Sequence, residues 1–219
     1  GADVTAAWLQ AIGDTMGLPQ AKVDAVKDAM IAACKGAIAK MPIKGRITVS
    51  GYEGSELLVA RLLVESGAEV PYVGTACPRT RWSDPDREWL EARGTHIQYR
   101  ASLEQDKQAV DAFEPDLAIG TTPVVQHAKT KTTPALYFTN LISARPLMGP
   151  AGAGSLAQVI NAALGNKGRF DTMKAFFEGV GEGHAAGIWE DVPTDRPEFK
   201  KKFAGKMIAA RKAQEAVGD

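Results

Sequence analysis

A chain of 219 residues with 45% hydrophobic and 24% charged residues has ordinary globular composition and enough length to bury a core. Lys+Arg and Asp+Glu are both 26, so nothing resembles the basic footprint of a nucleic-acid binder. No apolar run approaches the roughly 20 residues that span a bilayer. Asp3 near the start, with no basic segment around it, does not suit a secretory signal, so no transmembrane segment and a cytoplasmic location are expected.

The first 42 or so residues read as helical. Val23, Val26, Met30, Ala33 and Ala37 recur at three- and four-residue spacing, which stripes one helix face, and Pro42 ends the pattern. Strands then alternate with helices. Residues 46–50 form a short β-run that stops at Gly51, and a helix over 55–66 follows, closed by Gly67. A second strand covers 70–73. Asp84 reads as an N-cap with Pro85 in the first turn of the next helix, and Gly94 ends that helix. A third strand covers 96–99. Ser102 and Gln105 make a capping box for a helix over 103–113. Pro115 breaks it, a fourth strand covers 116–120, a short helix covers 123–129, and a fifth strand covers 135–138. Further helices are expected over 155–164, 170–178 and 197–217. A glycine-rich stretch over 179–183 lies between the last two, and the Lys200-Lys201-Lys202 run reads as a solvated face.

Short strands separated by helices predict an α/β fold: a Rossmann-like parallel sheet covered by helices on both faces. The expected strand order is 3-2-1-4-5. The implied organisation is a helical segment over 1–44, a Rossmann-like domain over 45–150 and a C-terminal helical extension over 151–219. Helices over 4–40 would leave apolar surface for a partner, so an oligomer or a swapped arm is expected.

In such a sheet ligands bind beyond the carboxyl ends of the strands where the winding reverses. The loops there are Gly51-Tyr52-Glu53-Gly54-Ser55 and Gly120-Thr121-Thr122-Pro123. The first does not match GxGxxG, and Tyr52-Glu53 would crowd and repel a pyrophosphate, so NAD(P) is not expected. No P-loop, GxSxG elbow or HExxH is present. His96, His127 and His184 are scattered. Cys34 and Cys77 form no CxxC pair and are too few for an iron–sulfur cluster, which usually takes four protein ligands; no metal site and no resident cofactor are expected in this chain. Tyr52, Thr121, Thr122, Tyr137, Asn140 and Met148 are the candidate ligand-binding residues. Glu53 is the one nearby carboxylate able to relay a proton, and the competing reading makes it a solvated loop side chain.

Residues 45–58, 114–123 and 134–140 resemble the third domain of nitrogenase-like reductase subunits. The runs Val73-Gly74-Thr75-Ala76-Cys77-Pro78-Arg79-Thr80, Ser143-Ala144-Arg145-Pro146-Leu147-Met148-Gly149-Pro150-Ala151-Gly152 and Phe176-Phe177-Glu178-Gly179-Val180-Gly181 resemble, more narrowly, the Y-type subunits of chlorophyllide a reductases, as a C-terminal part. The resemblance implies an oxidoreductase of bacteriochlorophyll biosynthesis that reduces the chlorin C7=C8 bond. It implies a Z-type partner subunit, an ATP-dependent iron–sulfur donor protein and a [4Fe-4S] cluster held elsewhere in the complex, so that this chain alone is inactive. It also places Met148 where nitrogenase carries a histidine ligand to its metal cofactor, which suits an organic tetrapyrrole. The alternative is a non-catalytic Rossmann-like domain for small-ligand binding or subunit assembly. A nucleotide-dependent transferase or dehydrogenase would need a phosphate loop, and none is evident.

Overall fold

The computed structural model describes residues 1–177. The elements are α1 (Ala2–Met16), α2 (Gln20–Lys40), β1 (Arg46–Gly51), α3 (Glu56–Glu65), β2 (Glu69–Thr75), α4 (Asp84–Glu91), β3 (His96–Tyr99), α5 (Leu103–Phe113), β4 (Leu117–Gly120), α6 (Thr122–Thr130), β5 (Ala135–Tyr137), α7 (Phe138–Ser143), α8 (Gly149–Leu164) and α9 (Lys167–Phe177). One compact unit spans Gly1–Asp171 and a second spans Thr172–Asp219. The glycine-rich stretch and the tail helix expected from the sequence lie outside the described residues.

The five strands form one sheet in the order β3-β2-β1-β4-β5. Every pairing is parallel, with Val49 opposite both Val73 and Ile119, and Ile119 opposite Leu136. This is the expected α/β architecture. Alternation along the strands sorts the two faces. Ile47, Val49, Leu117 and Ile119 join Leu63, Leu90, Leu156 and Ile160 in the large core under α3, α4 and α8. Ala118 packs instead with Val110, Val124 and Ala128 of α5 and α6. On that second side Tyr72 stacks between His96 and Phe113 at centroid distances of 6.0 and 6.1 Å.

Several local expectations shift. The α4 N-cap is Ser83, not Asp84, because the Asp84 carboxylate is taken by Arg79 at 2.6 Å; that ion pair holds the Asp84 carboxyl below its ordinary range. The Ser102–Gln105 capping box forms as expected. The fifth strand ends at Tyr137, and α7 begins at Phe138, whose ring is buried. Helix α8 starts at Gly149 rather than near Ser155.

The first two helices fold back on their own chain rather than reaching outward as a free arm. Gly13 lets α1 approach Val23 of α2. Ala37 and Ile38 of α2 pack against the main core, and Cys34 is fully buried. The Ala2 amide donates to Glu65 Oε2 at 2.8 Å, and the Gly149 amide donates to Thr5 Oγ1 at 3.1 Å. Trp8, Met16, Leu18 and Val26 still leave apolar surface on this hairpin.

Gly152 shows how tightly α8 is seated. A Cβ there would meet the Pro146 carbonyl oxygen and lie 3.1 Å from the Leu147 carbonyl carbon, both backbone atoms that cannot swing away. Gly152→Ala is therefore expected to lower stability by about 1–3 kcal/mol despite its better helix propensity. Urea unfolding checks this, and an unchanged midpoint would show that α8 moves freely.

Candidate functional site

Two loops at the carboxyl edge of the sheet are fixed by close packing. Gly51 ends β1, and a Cβ there would lie 2.5 Å from Glu56 Oε1 and 3.0 Å from a Phe138 ring carbon. Glu56 opens α3 and is 0% exposed. Its Oε1 accepts from the Glu53 amide at 2.7 Å, and its Oε2 accepts from Thr75 Oγ1 at 3.0 Å. One buried carboxylate thus ties the turn after β1 to the end of β2. Gly54 supplies the left-handed step of that turn, at φ +82°. Gly120 ends β4, and a Cβ there would lie 2.7 Å from both Ser50 Oγ and Val124 Cγ1. Thr121 then holds the N-cap position of α6 without a side-chain capping bond, with Pro123 in the first turn.

Tyr52, Gly120, Thr121, Thr122, Tyr137, Thr139 and Asn140 line a cleft of about 350 Å3 between these loops. The structure therefore brings together five of the six residues selected from the sequence: Tyr52, Thr121, Thr122, Tyr137 and Asn140. Tyr52 is 57% exposed. Its hydroxyl stands 3.5 Å from Thr139 Oγ1, and Thr139 Oγ1 donates to Glu53 Oε1 at 3.0 Å. Glu53 reaches the cleft through Thr139 rather than lining it. Met148 sits at the N-cap of α8 and does not line it. Hydroxyl and amide groups line much of the cleft, and the two tyrosine rings are the main carbon surface. Thr139 was missed because the strand was expected to run through Phe138; the structure ends it at Tyr137 and starts α7 at Phe138, which brings Thr139 to the cleft.

A second cleft lies across the same loop. It measures about 480 Å3, and Gly54, Leu57, Leu58, Thr75, Cys77 and Pro78 form part of its wall. Trp82, Ser83, Asp86 and Tyr99 complete much of the rest. Nothing in the sequence pattern marks it, because its residues come from α3, the β2–α4 connection and β3, away from the point where the winding reverses.

Among the described residues, His96 and His127 take structural places, and His184 lies outside them. His127 Nε2 lies 2.9 Å from Asp111 Oδ1 and joins α6 to α5. His96 belongs to the edge strand β3 and stacks on Tyr72. Among the described residues no three His, Cys, Asp or Glu side chains gather as metal ligands. Cys34 is sealed inside the helical layer, and the Cys77 thiol faces the Tyr52 carbonyl at 3.7 Å. Two thiols on separate elements do not fit an iron–sulfur cluster, which usually takes four cysteine ligands. Also among the described residues, no helix is long and apolar enough to cross a membrane.

Comparisons with known proteins give the family. The chain is 66% identical over 213 residues to the chlorophyllide reductase 52.5 kDa chain of Cereibacter sphaeroides, covering 97% of this chain and 42% of that protein. It is 64% identical over 216 residues to the chlorophyllide reductase 52.5 kDa chain of Rhodobacter capsulatus, covering 99% and 44%. The chain thus spans less than half the length of these relatives. The part matched is N-terminal, which corrects the C-terminal placement expected from the sequence. That placement rested on the resemblance of residues 45–58, 114–123 and 134–140 to the third domain of nitrogenase-like reductase subunits, and a resemblance over short runs does not fix the position of a segment in a longer chain. Among solved structures, "Nitrogenase Cp1 at pH 6.5" superposes with a TM-score of 0.54 at 19% identity, over 74% of this chain and 38% of that one, a likeness of fold. Residues 1–164 match the model of the nitrogenase component 1 type oxidoreductases, and the chain belongs to that family.

Proposed function

We propose that this chain forms part of the catalytic component of a chlorophyllide reductase, and that the cleft between the β1, β4 and β5 loops holds part of the tetrapyrrole. The observation that carries the reading is the identity of 64–66% to chlorophyllide reductase chains over 97–99% of the sequence. The cleft contributes its chemistry. Thr121 and Thr122 sit at the start of α6, where free backbone N–H groups and hydroxyls favour a carboxylate or carbonyl oxygen. Asn140 adds an amide, and the rings of Tyr52 and Tyr137 offer flat faces to a macrocycle. These residues suit the polar edge of a chlorin better than its whole apolar face, so the remaining surface comes from elsewhere in the complex.

Reduction of the C7=C8 bond adds two electrons and two protons. The residues here do not fit a cluster, so the electrons are supplied from outside this chain. The family resemblance assigns that supply to a [4Fe-4S] cluster held with a Z-type subunit and to an ATP-dependent iron–sulfur donor protein. The chain's own part is to bind, to orient and to hold a proton. Glu53 and Thr139 form a carboxylate–hydroxyl pair at the cleft rim; once Glu53 has taken up a proton from solvent and the Thr139 hydroxyl has turned to accept it, Thr139 would release its own proton into the cleft. Cytoplasmic action as one subunit of an oligomer goes with this reading.

The test uses the complete reductase with its electron donor. Tyr137→Ala is expected to weaken chlorophyllide binding by roughly tenfold in an absorbance titration. Glu53→Gln is expected to lower turnover at unchanged binding. Met148→Arg should leave binding close to wild type. Wild-type binding by Tyr137→Ala would remove the cleft from the substrate site, and wild-type turnover by Glu53→Gln would remove the proton role.

A further inference from the structure

We propose that the second cleft, walled by Leu57, Leu58, Cys77, Pro78, Trp82 and Tyr99, is a separate binding site for an uncharged apolar ring or chain. Its volume of about 480 Å3 lies within the range of small-molecule pockets. Its chemistry is selective because most of the polar side chains in its wall are already engaged. Thr75 Oγ1 donates to Glu56 Oε2 and accepts from the Cys77 amide at 3.2 Å. The Cys77 thiol faces the Tyr52 carbonyl. The Tyr99 hydroxyl donates to Ser83 Oγ at 2.9 Å, and Ser83 Oγ donates to the Thr80 carbonyl at 2.8 Å. Asp86 Oδ1 holds Arg61 Nη1 at 2.7 Å. A charged or strongly polar ligand would lose water and meet partners already in use. An apolar one would lose nothing and cover carbon surface.

Trp82 gives the site its open side. It is 76% exposed, an unusual position for the largest aromatic side chain on a turn. The Arg81 guanidinium, 4.4 Å from its ring centroid, stacks on the indole. A ligand in the cleft would cover indole surface that is now wet. The two clefts share the loop over 52–54, yet they differ in kind: hydroxyl and amide groups on the β4 side, aliphatic and aromatic carbon on the β2–β3 side.

The test needs no reductase activity, so its result is independent of the proposed catalytic role. The chain is titrated with N-phenyl-1-naphthylamine, an uncharged aromatic fluorophore, and with the anionic 1-anilinonaphthalene-8-sulfonate. Saturable binding of the neutral probe is expected, with the anion weaker by at least about tenfold. Trp82→Ala, a change on the surface that leaves the core intact, is expected to weaken the neutral probe roughly five- to tenfold. Leu58→Glu should abolish it, with circular dichroism confirming the fold, whereas Thr121→Val in the polar cleft should leave it unchanged. Saturating chlorophyllide should not displace it. The proposal is overturned by absence of saturable binding, by wild-type affinity in Trp82→Ala, by equal affinity for the anion, or by displacement with chlorophyllide.

Discussion

Asp106→Asn is expected to stabilise the chain by roughly 1–3 kcal/mol at pH 8 and to flatten its stability profile between about pH 4 and pH 6. Asp106 is 7% exposed and lies on the α5 side of the sheet, against Gly74, where no side chain fits between them. Burial pushes its carboxyl up to about 6; the hydrogen bond from the Tyr72 hydroxyl, at 2.9 Å, pulls it part of the way back, and the Glu56 carboxylate adds a smaller push upward. Tyr72 in turn is held well above its ordinary range by burial and by Asp106. An acid whose folded pKa lies above its unfolded value near 4 binds its proton more tightly when folded. Stability is then greatest below about pH 4, falls as pH rises towards 6, and stays at the lower level above that. A rise of about two units corresponds to roughly 3 kcal/mol. The asparagine keeps an acceptor for the Tyr72 hydroxyl and carries no charge, while its amide hydrogens need a partner, which offsets part of the gain. Urea unfolding from pH 4 to pH 8 measures both terms. A variant less stable than wild type at pH 8, or one that keeps the same slope, would mean that Asp106 ionises without penalty in its pocket.

The sheet was legible because β1, β2 and β4 are short runs rich in β-branched or aliphatic residues that meet Gly51, Gly74 and Gly120, and the crossover rules leave few ways to order five strands. Its polar cleft was legible for the same reason, since the loops after β1 and β4 follow from the order alone. What the pattern missed depends on tertiary contacts. Tyr137-Phe138-Thr139 has strand composition, and only the burial of Phe138 beside Gly51 turns the chain into α7 and aims Thr139 at Glu53. Gly149-Pro150-Ala151-Gly152 has little helix propensity, and it is helical because Gly152 fits against the Pro146 backbone. Asp84 has the composition of an N-cap, and Arg79, five residues earlier, takes its carboxylate. Met148 was chosen by resemblance, and the turn over 144–148 carries it to the start of α8 instead of the cleft.

Glu56→Ala is expected to cause the largest loss, roughly 3–5 kcal/mol, whereas Glu56→Gln should cost about 1 kcal/mol or less. The carboxylate is 0% exposed and accepts from two groups on different elements, the Glu53 amide and Thr75 Oγ1. Alanine strips both donors of their partner and leaves a void against Gly51, whose missing side chain exists to make room for Glu56. Hydrogen bonds to a charged acceptor contribute about 1.5–3 kcal/mol each, so the sum exceeds what most single substitutions remove. Glutamine keeps the shape. Its carbonyl oxygen can take the Glu53 amide, and its NH2 can donate to Thr75 Oγ1, a hydroxyl able to turn from donor to acceptor. The contrast between the two variants separates loss of the brace from loss of charge. The brace also sets the loop that carries Tyr52 and Glu53 on one cleft and Gly54 on the other. In Glu56→Ala the Glu53 amide should lose its protection from hydrogen exchange, and ligand binding in both clefts should weaken together. In Glu56→Gln protection and binding should stay near wild type. If alanine left the Glu53 amide protected and the unfolding midpoint unmoved, the turn after β1 would be held by the Gly51–Phe138 packing alone, and Glu56 would have no part in positioning either cleft.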